Sequence, residues 1–131
     1  EEGVIYTIDI NEEQQERVSG YFEASSFAHQ IEYRIGDAFE IIPSIEGQFD
    51  LVFIDADKKR NLVYYNMLID RVPKGGLILV DNVLWKGKVF DENPDNQTKQ
   101  VLELNNTLAR DSRVEKLILP VRDGLFVLRK K

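Results

Sequence analysis

The segment that decides the fold is residues 75–82, which read Gly75-Gly76-Leu77-Ile78-Leu79-Val80-Asp81-Asn82. A glycine turn opens this apolar strand, and a carboxylate and a carboxamide end it. Residues 49–58 follow the same plan, in the order Phe49-Asp50-Leu51-Val52-Phe53-Ile54-Asp55-Ala56-Asp57-Lys58. Two buried parallel strands that end in oxygen ligands would bring those ligands together at the carboxyl edge of a sheet. Open α/β sheets place their active sites at that edge.

Strands and helices alternate outward from these two segments. Runs of β-branched and aromatic residues predict strands, and helical spacing of apolar residues, as in Leu62, Tyr65 and Leu68, predicts helices. The predicted strands are 4–8, 31–35, 49–54, 77–80, 114–119 and 125–128, and the predicted helices are 11–24, 38–45, 60–71 and 95–110. Residues 83–96 read mainly as a loop. The order predicts one α/β domain over residues 1–131, a doubly wound and mostly parallel sheet with an antiparallel C-terminal strand at its edge.

The composition is that of an ordinary globular protein and excludes several functions. Of 131 residues, 43% are hydrophobic and none is cysteine, so disulfides, thiolate metal sites and cysteine nucleophiles are excluded. The net charge of −6 disfavours unspecific binding to nucleic-acid phosphates. No apolar run approaches the roughly 20 residues that span a bilayer, and Glu1-Glu2 does not open a signal peptide. We therefore expect a cytoplasmic protein with no membrane partner.

The strand ends offer three oxygen ligands, Asp55, Asp81 and Asn82. Two carboxylates and one carboxamide suit Mg²⁺, Ca²⁺ or Mn²⁺ better than zinc or copper. The same residue types are also favoured at helix caps and in turns, so Asp55 could cap the next helix and Asp81-Asn82 could be a simple turn. Spacing alone leaves both interpretations open.

Other residues near the strand ends carry weaker signals. Asp9 ends the first strand, where dinucleotide- and adenosyl-binding sheets hold ribose, but only eight residues precede it. Lys58 could act as a general base, although a run of charged residues is more often solvated surface. Trp85 lies in the loop after the acid–amide pair, where an exposed aromatic would be unusual without a ligand or partner. His29 is the one histidine and reads as surface.

Six segments carry a family resemblance, in one order along nearly the whole chain. They are Tyr6-Thr7-Ile8-Asp9, Gly36-Asp37-Ala38, Phe53-Ile54-Asp55-Ala56-Asp57-Lys58, Gly75-Gly76, Val80-Asp81-Asn82-Val83-Leu84-Trp85 and Asp123-Gly124-Leu125. With them the chain resembles the metal-dependent O-methyltransferases, which include the caffeoyl-CoA and catechol enzymes and their small bacterial relatives. The resemblance implies a Rossmann-like fold, S-adenosylmethionine as cofactor and a divalent cation (Mg²⁺, or else Ca²⁺ or Mn²⁺).

The resemblance also implies a role for each matching residue. The implied metal ligands are Asp55, Asp81 and Asn82, and Lys58 resembles the proposed catalytic base of the catechol enzymes. The implied cofactor contacts are Asp9 at the ribose, Asp37 and Ala38 at the adenine, and Asp55 and Asp57 after the third strand. Trp85 and Lys86 lie in the implied substrate loop. Plant caffeoyl-CoA enzymes have asparagine where this chain has Lys86, so the bacterial members are the better match.

The resemblance implies that part of the family fold lies outside this chain. Family members exceed 200 residues, and their first strand, glycine-rich loop and N-terminal helices have no counterpart here. That first strand would lie between the strands that end at Asp9 and Asp55, and its absence would leave backbone groups unpaired. We therefore expect the chain to be the C-terminal portion of a longer methyltransferase domain.

Three functional interpretations remain at this stage. The first is a homodimeric enzyme that methylates a hydroxyl of a catechol-like or other small molecule with neighbouring oxygens. The second keeps the chemistry but acts on hydroxylated uridine in tRNA, with Lys86 and Lys88 meeting phosphate; the negative charge argues mildly against it. The third is an inactive fragment or cofactor-binding scaffold.

Overall fold

The structure is a computed structural model, and it describes residues 3–131; Glu1 and Glu2 lie outside the described residues. The chain divides into two compact units, Glu1–Glu46 and Gly47–Lys131. The first contains β1 (Ile5–Asp9), α1 (Gln15–Glu23), β2 (Ile31–Ile35) and α2 (Ala38–Ile41). The second contains β3 (Leu51–Ile54), α3 (Asn61–Leu68), β4 (Leu77–Asp81), α4 (Asn96–Arg110), β5 (Val114–Leu119) and β6 (Leu125–Lys130).

The first unit is built on a two-stranded parallel sheet. β1 pairs with β2 in a register that places Asp9 opposite Ile35. Asn11 caps the short 3₁₀ turn before α1, because its side chain accepts a hydrogen bond from the Glu13 N–H at 3.0 Å. The ring of Phe22 on α1 meets the ring of Tyr33 on β2 edge-on, with centroids 5.4 Å apart. The helix is thereby fixed against its strand.

The second unit is built on a four-stranded sheet in the order β3-β4-β6-β5. β3 and β4 are parallel, whereas β6 is antiparallel to both of its neighbours. The reversed C-terminal strand and the closing hairpin are therefore confirmed. The prediction that the reversed C-terminal strand lies at the edge of the sheet is wrong, because β6 lies inside the sheet and β5 forms the edge. A short hairpin allows this because β6 can turn back from β5 and still pair with β4.

One face of the second sheet forms the core with α3 and α4. Alternate strand residues point into it, which is the period-two pattern of a half-buried strand. They are Val52, Ile54, Ile78, Val80, Phe126 and Leu128. The helices add Tyr65 and Leu68 from α3, and Val101, Leu104 and Leu108 from α4. Each such side chain contributes about 1.5–3 kcal/mol on full burial. This core fixes the strand ends on which the candidate site is built.

The segment predicted as a loop after β4 contains a further element. Residues Trp85–Phe90 form a 3₁₀ segment that is interrupted at Lys86 (φ 54°) and Gly87 (φ 78°). Pattern reading missed it because 3₁₀ turns are short and carry no clear hydrophobic period.

A polar network links Tyr65 of α3 to Asp111 and Arg113, which follow the C-terminal end of α4. The buried Tyr65 hydroxyl donates to Asp111 Oδ2 at 2.8 Å, and Arg113 Nη2 donates to the same oxygen at 2.7 Å. The hydrogen bonds from Arg113 hold the pKa of Asp111 well below its usual range. Burial, and then the bond to Asp111, raises the pKa of Tyr65. At neutral pH the Asp111 carboxylate is therefore ionised and the Tyr65 hydroxyl keeps its proton.

Asp111→Asn is expected to lower the free energy of unfolding at pH 7 by about 1.5–3 kcal/mol, the usual value of hydrogen bonds to a charged group. Because the folded pKa lies below the unfolded value of about 3.9, this stabilisation is full above about pH 5 and is lost progressively as the pH falls toward the folded pKa. Urea unfolding at pH 7 and pH 3 should show a smaller difference between variant and wild type at pH 3. The exposed Asp91→Asn is the control, and an equal difference at both pH values would refute the linkage.

The described strands form two sheets and not one closed sheet.

Across residues 3–131, no helix is both long and apolar enough to cross a membrane.

Candidate active site

Asp55 and Asp81 meet at the carboxyl edge of the second sheet. Ile54 of β3 is the register partner of Val80 of β4, so Asp55 and Asp81 are the next pair along the two strands. Paired strands lie about 4.8 Å apart, which sets the separation of the two backbones. The sequence predicted this meeting from two separate apolar runs. Asp55 does not cap α3, because the N-cap position is Arg60.

Lys58 is turned toward Asp55 and is largely covered. Its ammonium Nζ lies 3.5 Å from Asp55 Oδ1, and only 15% of its side chain is exposed, against 53% for Asp55. Its neighbours Lys59 and Arg60 are exposed. The structure therefore separates Lys58 from the charged run in which it occurs.

The backbone after Asp81 forms a tight turn at Asn82. Asn82 has φ 60°, a left-handed conformation that asparagine tolerates better than most residues. Its N–H donates to Asp81 Oδ1 at 2.7 Å. The turn interpretation of Asp81-Asn82 is therefore confirmed, and the register of β3 and β4 places Asp81 beside Asp55.

The loop at Asp123-Gly124 supports the next part of this turn. The N–H groups of Val83 and Leu84 donate to the carbonyls of Gly124 (3.1 Å) and Asp123 (2.8 Å). The N–H of Lys86 donates to the Asp123 carboxylate. These bonds fix residues 83–86, in which Trp85 is half-buried and Lys86 is exposed.

Gly124→Ala is expected to destabilise the protein by more than about 1–2 kcal/mol, the usual penalty of the left-handed region. Gly124 has φ +82°, and an added Cβ would overlap Leu84 Cγ and lie 3.0 Å from Leu84 N. Gly47→Ala is the matched control, because Gly47 has φ +92° with open space around it. Thermal unfolding should show a larger loss for Gly124→Ala. Equal losses would contradict this prediction, because they would show that the Leu84 side chain moves aside at no cost in the free energy of unfolding.

The carboxyl ends of β1 and β2 form a second polar edge, within the first unit. Asp9 ends β1, and its carbonyl accepts a hydrogen bond from the Gly36 N–H at 2.8 Å. Asp37 is the N-cap of α2 and accepts from the Phe39 N–H at 2.9 Å, while Ala38 opens that helix. Asp9, Asp37 and Ala38 are therefore grouped at one edge. Asp57 lies in the second unit, exposed in the turn before α3, and accepts from the Lys59 N–H at 3.2 Å.

Lys88, in the segment after β4, pairs with the N-cap residue of α4. Asp95 caps the helix by accepting from the N–H and hydroxyl of Thr98, each at 2.8 Å, and Lys88 Nζ lies 3.1 Å from its other oxygen. The bonds from Thr98, and then that from Lys88, lower the pKa of Asp95 to about 2. The ammonium of Lys88 is thus engaged within the chain.

Sequence reasoning missed several polar side chains that are buried or half-buried among the described residues. Asn61 is fully buried and its carboxamide has no hydrogen-bond partner among the described residues. Asn105 donates to the Val83 carbonyl at 2.7 Å. The Tyr33 hydroxyl is buried without a partner among the described residues, and burial, followed by the charge of Asp9, raises the pKa of Tyr33. Both asparagines fall on the apolar stripes of their helices, and that is the signal that could have found them.

A sequence model of the O-methyltransferases matches residues 1–131. The chain belongs to the O-methyltransferase family. It is 39% identical to caffeoyl-CoA O-methyltransferase 1 of Nicotiana tabacum and 38% identical to the enzyme of that name in Arabidopsis thaliana, in each case over 99% of this chain. These matches cover 60% and 55% of the relatives, so the chain spans less than two thirds of their length.

Solved structures share the fold of this O-methyltransferase chain. TomG from Streptomyces achromogenes, an O-methyltransferase solved in complex with S-adenosylmethionine, is 26% identical with a TM-score of 0.88. Cofactor-bound Rv0187 from MTB is 25% identical with a TM-score of 0.89. Each match covers 98% of this chain and 62% of the other. The predicted Rossmann-like α/β fold is confirmed.

Proposed function

We propose that the protein to which this chain belongs is a metal- and S-adenosylmethionine-dependent O-methyltransferase. Its substrate would be a catechol-like or other small molecule that carries a hydroxyl beside a second oxygen. The observation that carries the proposal is the pairing of Asp55 and Asp81 at the ends of parallel β3 and β4, with the Lys58 ammonium 3.5 Å from Asp55. The family membership supports the methyl transfer.

The donor set at this edge fits a hard divalent cation. Asp55 and Asp81 offer carboxylate oxygens, and Asn82 offers a carbonyl oxygen, which are ligands that Mg²⁺, Mn²⁺ and Ca²⁺ take. The Asp55 side chain is about half exposed, so a cation could reach it from solvent. Within residues 3–131, no group of three or more histidine, aspartate or glutamate side chains could hold a metal. The third protein ligand would therefore be the Asn82 carboxamide.

The residues around this edge have separate tasks in the proposed reaction. When bound, the cation would supply Lewis-acid chemistry that favours ionisation of a coordinated hydroxyl. Lys58 would act as the general base: once its ammonium has released a proton to solvent, the neutral amine would accept the proton of that hydroxyl. The substrate oxygen would then attack the sulfonium methyl carbon as the carbon–sulfur bond breaks, so that the sulfur keeps the electron pair. Trp85 and Lys86 would contact the substrate from the loop after β4.

The proposed cofactor contacts extend the family resemblance to individual residues. Asp9 would accept hydrogen bonds from the ribose hydroxyls, which is how an acid at a strand end holds ribose in such sheets. Asp37 and Ala38 would contact the adenine. Asp57 and Asp55 would be further contacts of the cofactor.

A small molecule is the substrate class that the loop favours. Lys88 is paired with Asp95 at 3.1 Å, so it is a weaker candidate for a tRNA phosphate than its sequence position suggests. The formal charge of −6 also argues against a tRNA substrate.

We propose that the intact protein is a homodimer in the cytoplasm, by analogy with the family alone.

A methyl-transfer assay on the intact protein tests the proposal. Labelled S-adenosylmethionine is incubated with catechol-type acceptors that have two neighbouring hydroxyls and with matched acceptors that have one. We expect transfer to the former only, its loss in EDTA and its recovery with Mg²⁺ or Mn²⁺. Equal transfer in EDTA would refute the metal role, and transfer only to tRNA would replace the proposed substrate class.

A further inference from the structure

Asn105 on α4 is a polar residue in an apolar position. It directly follows Leu104 and lies three residues before Leu108. Val101, Leu104 and Leu108 are all buried. A carboxamide at such a position is unfavourable unless it is hydrogen-bonded. Its Nδ2 donates to the Val83 carbonyl at 2.7 Å in a part-buried contact. The side chain thus has a specific partner, and that partner lies next to Asp81-Asn82 in the chain.

The turn at Asp81-Asn82 is one that needs support. Asn82 lies in the left-handed region, a conformation that persists when the surrounding structure fixes it. Val83, the next residue, is fully buried. Its N–H bonds to the Gly124 carbonyl at 3.1 Å, and its carbonyl bonds to Asn105. Val83, which follows the two proposed ligands, is therefore hydrogen-bonded through both its N–H and its carbonyl. The carbonyl bonds to α4, and the N–H bonds to the loop before β6.

We propose that Asn105 is a positioning residue for the metal site: through the Val83 carbonyl it holds Asp81 and Asn82 in their ligating geometry. This inference rests on the proposed function, because it assumes that Asp81 and Asn82 bind a cation. Partners behind the ligands orient them, and their loss typically weakens metal affinity about 10–100-fold. Asp123 and Gly124 support the same turn from the opposite side. Asn105 itself touches neither the substrate nor the cofactor in this account.

The test compares Asn105→Leu with Asn106→Leu in the intact protein. Leucine has the branched shape of asparagine, although it is larger, and it cannot donate a hydrogen bond. Asn106 is the adjacent, exposed residue on the same helix. Mn²⁺ affinity is measured by electron paramagnetic resonance of the free ion, and thermal unfolding is measured in parallel without metal. We expect Asn105→Leu to weaken Mn²⁺ binding about 10–100-fold and Asn106→Leu to leave it unchanged.

Two outcomes would overturn the inference. If Asn105→Leu lowers the unfolding temperature but binds Mn²⁺ as wild type does, Asn105 has only a structural role. If Asn105→Leu and Asn106→Leu weaken binding equally, the effect is not specific to the Val83 bond. If Asn105→Leu fails to fold, Asn105→Ser serves instead, because serine is polar but too short to reach the carbonyl; it should show the same loss of affinity.

A third variant separates this inference from the proposed function. Asp81→Asn removes a proposed ligand directly and should weaken Mn²⁺ binding at least as much as Asn105→Leu. If wild type binds no Mn²⁺, or if Asp81→Asn binds as wild type does, the proposed metal site fails and the positioning role fails with it. If Asp81→Asn weakens binding and Asn105→Leu does not, the site stands and the positioning role alone is wrong.

Discussion

Replacing Asp81 by asparagine is expected to reduce metal-dependent methyl transfer by the intact protein more than about 100-fold, since loss of outer partners alone typically costs 10–100-fold. The carboxamide has the same shape but no charge. Its Oδ1 can still accept the Asn82 N–H bond, which is 2.7 Å long in the native turn. The turn should therefore persist while the cation loses a negative ligand beside Asp55.

The control for Asp81→Asn is Asp91→Asn, which makes the same change at an exposed position in the following segment. Initial rates of methyl transfer at increasing Mg²⁺ concentrations give both the maximal rate and the Mg²⁺ dependence. Asp91→Asn should behave as wild type does. An Asp81→Asn enzyme within a few-fold of wild type at every Mg²⁺ concentration would contradict the assignment of Asp81 as a ligand.

Replacing Lys58 by methionine is expected to lower kcat about 10²–10⁴-fold, the usual contribution of general acid–base catalysis. Methionine keeps much of the length of the side chain, which is largely covered in the native structure. Metal affinity should be nearly unchanged, because Lys58 is not a ligand. The loss should appear in kcat more than in KM, since the proton is transferred after the substrate binds.

The acidity of the acceptor distinguishes a base from a structural lysine at position 58. A nitro-substituted catechol ionises without help, so its methylation should fall far less in Lys58→Met than that of an unsubstituted catechol. Lys59→Met, at the exposed neighbouring position, should affect neither acceptor. Equal losses for both acceptors would show that Lys58 does not act as the base.

The sequence predicted the sheet edge of the second unit because several local signals agree there. Apolar runs end abruptly at Asp55 and at Asp81, and a glycine turn precedes the second run. Parallel pairing then requires the two acids to meet, and the register of β3 and β4 shows that they do. The side chains of Asp9 and Asp37 were similarly placed by the ends of β1 and β2.

Other features depend on tertiary contacts that have no local pattern. The position of β6 between β4 and β5 is set by long-range pairing, and a hairpin reads the same whether its last strand is at the edge or inside. The sequence could not show that Lys58 is covered while Lys59 and Arg60 are exposed, because all three belong to one run of charged residues. The position of Asn61 and Asn105 on the apolar stripes of their helices is a local signal, but only the packed structure shows that Asn61 is fully buried and that Asn105 is half-buried beside Val83.

The pairing of Asp55, Asp81 and Asn82 around a divalent cation is tested most directly by crystallography of the intact protein grown with Mn²⁺. Anomalous diffraction locates manganese without reference to any structural expectation. The account predicts one strong anomalous peak at the carboxyl ends of β3 and β4, coordinated by Asp55, Asp81 and the Asn82 carbonyl oxygen. A structure with Mn²⁺ present in solution and no peak at this edge, or with the peak on other residues, would contradict it.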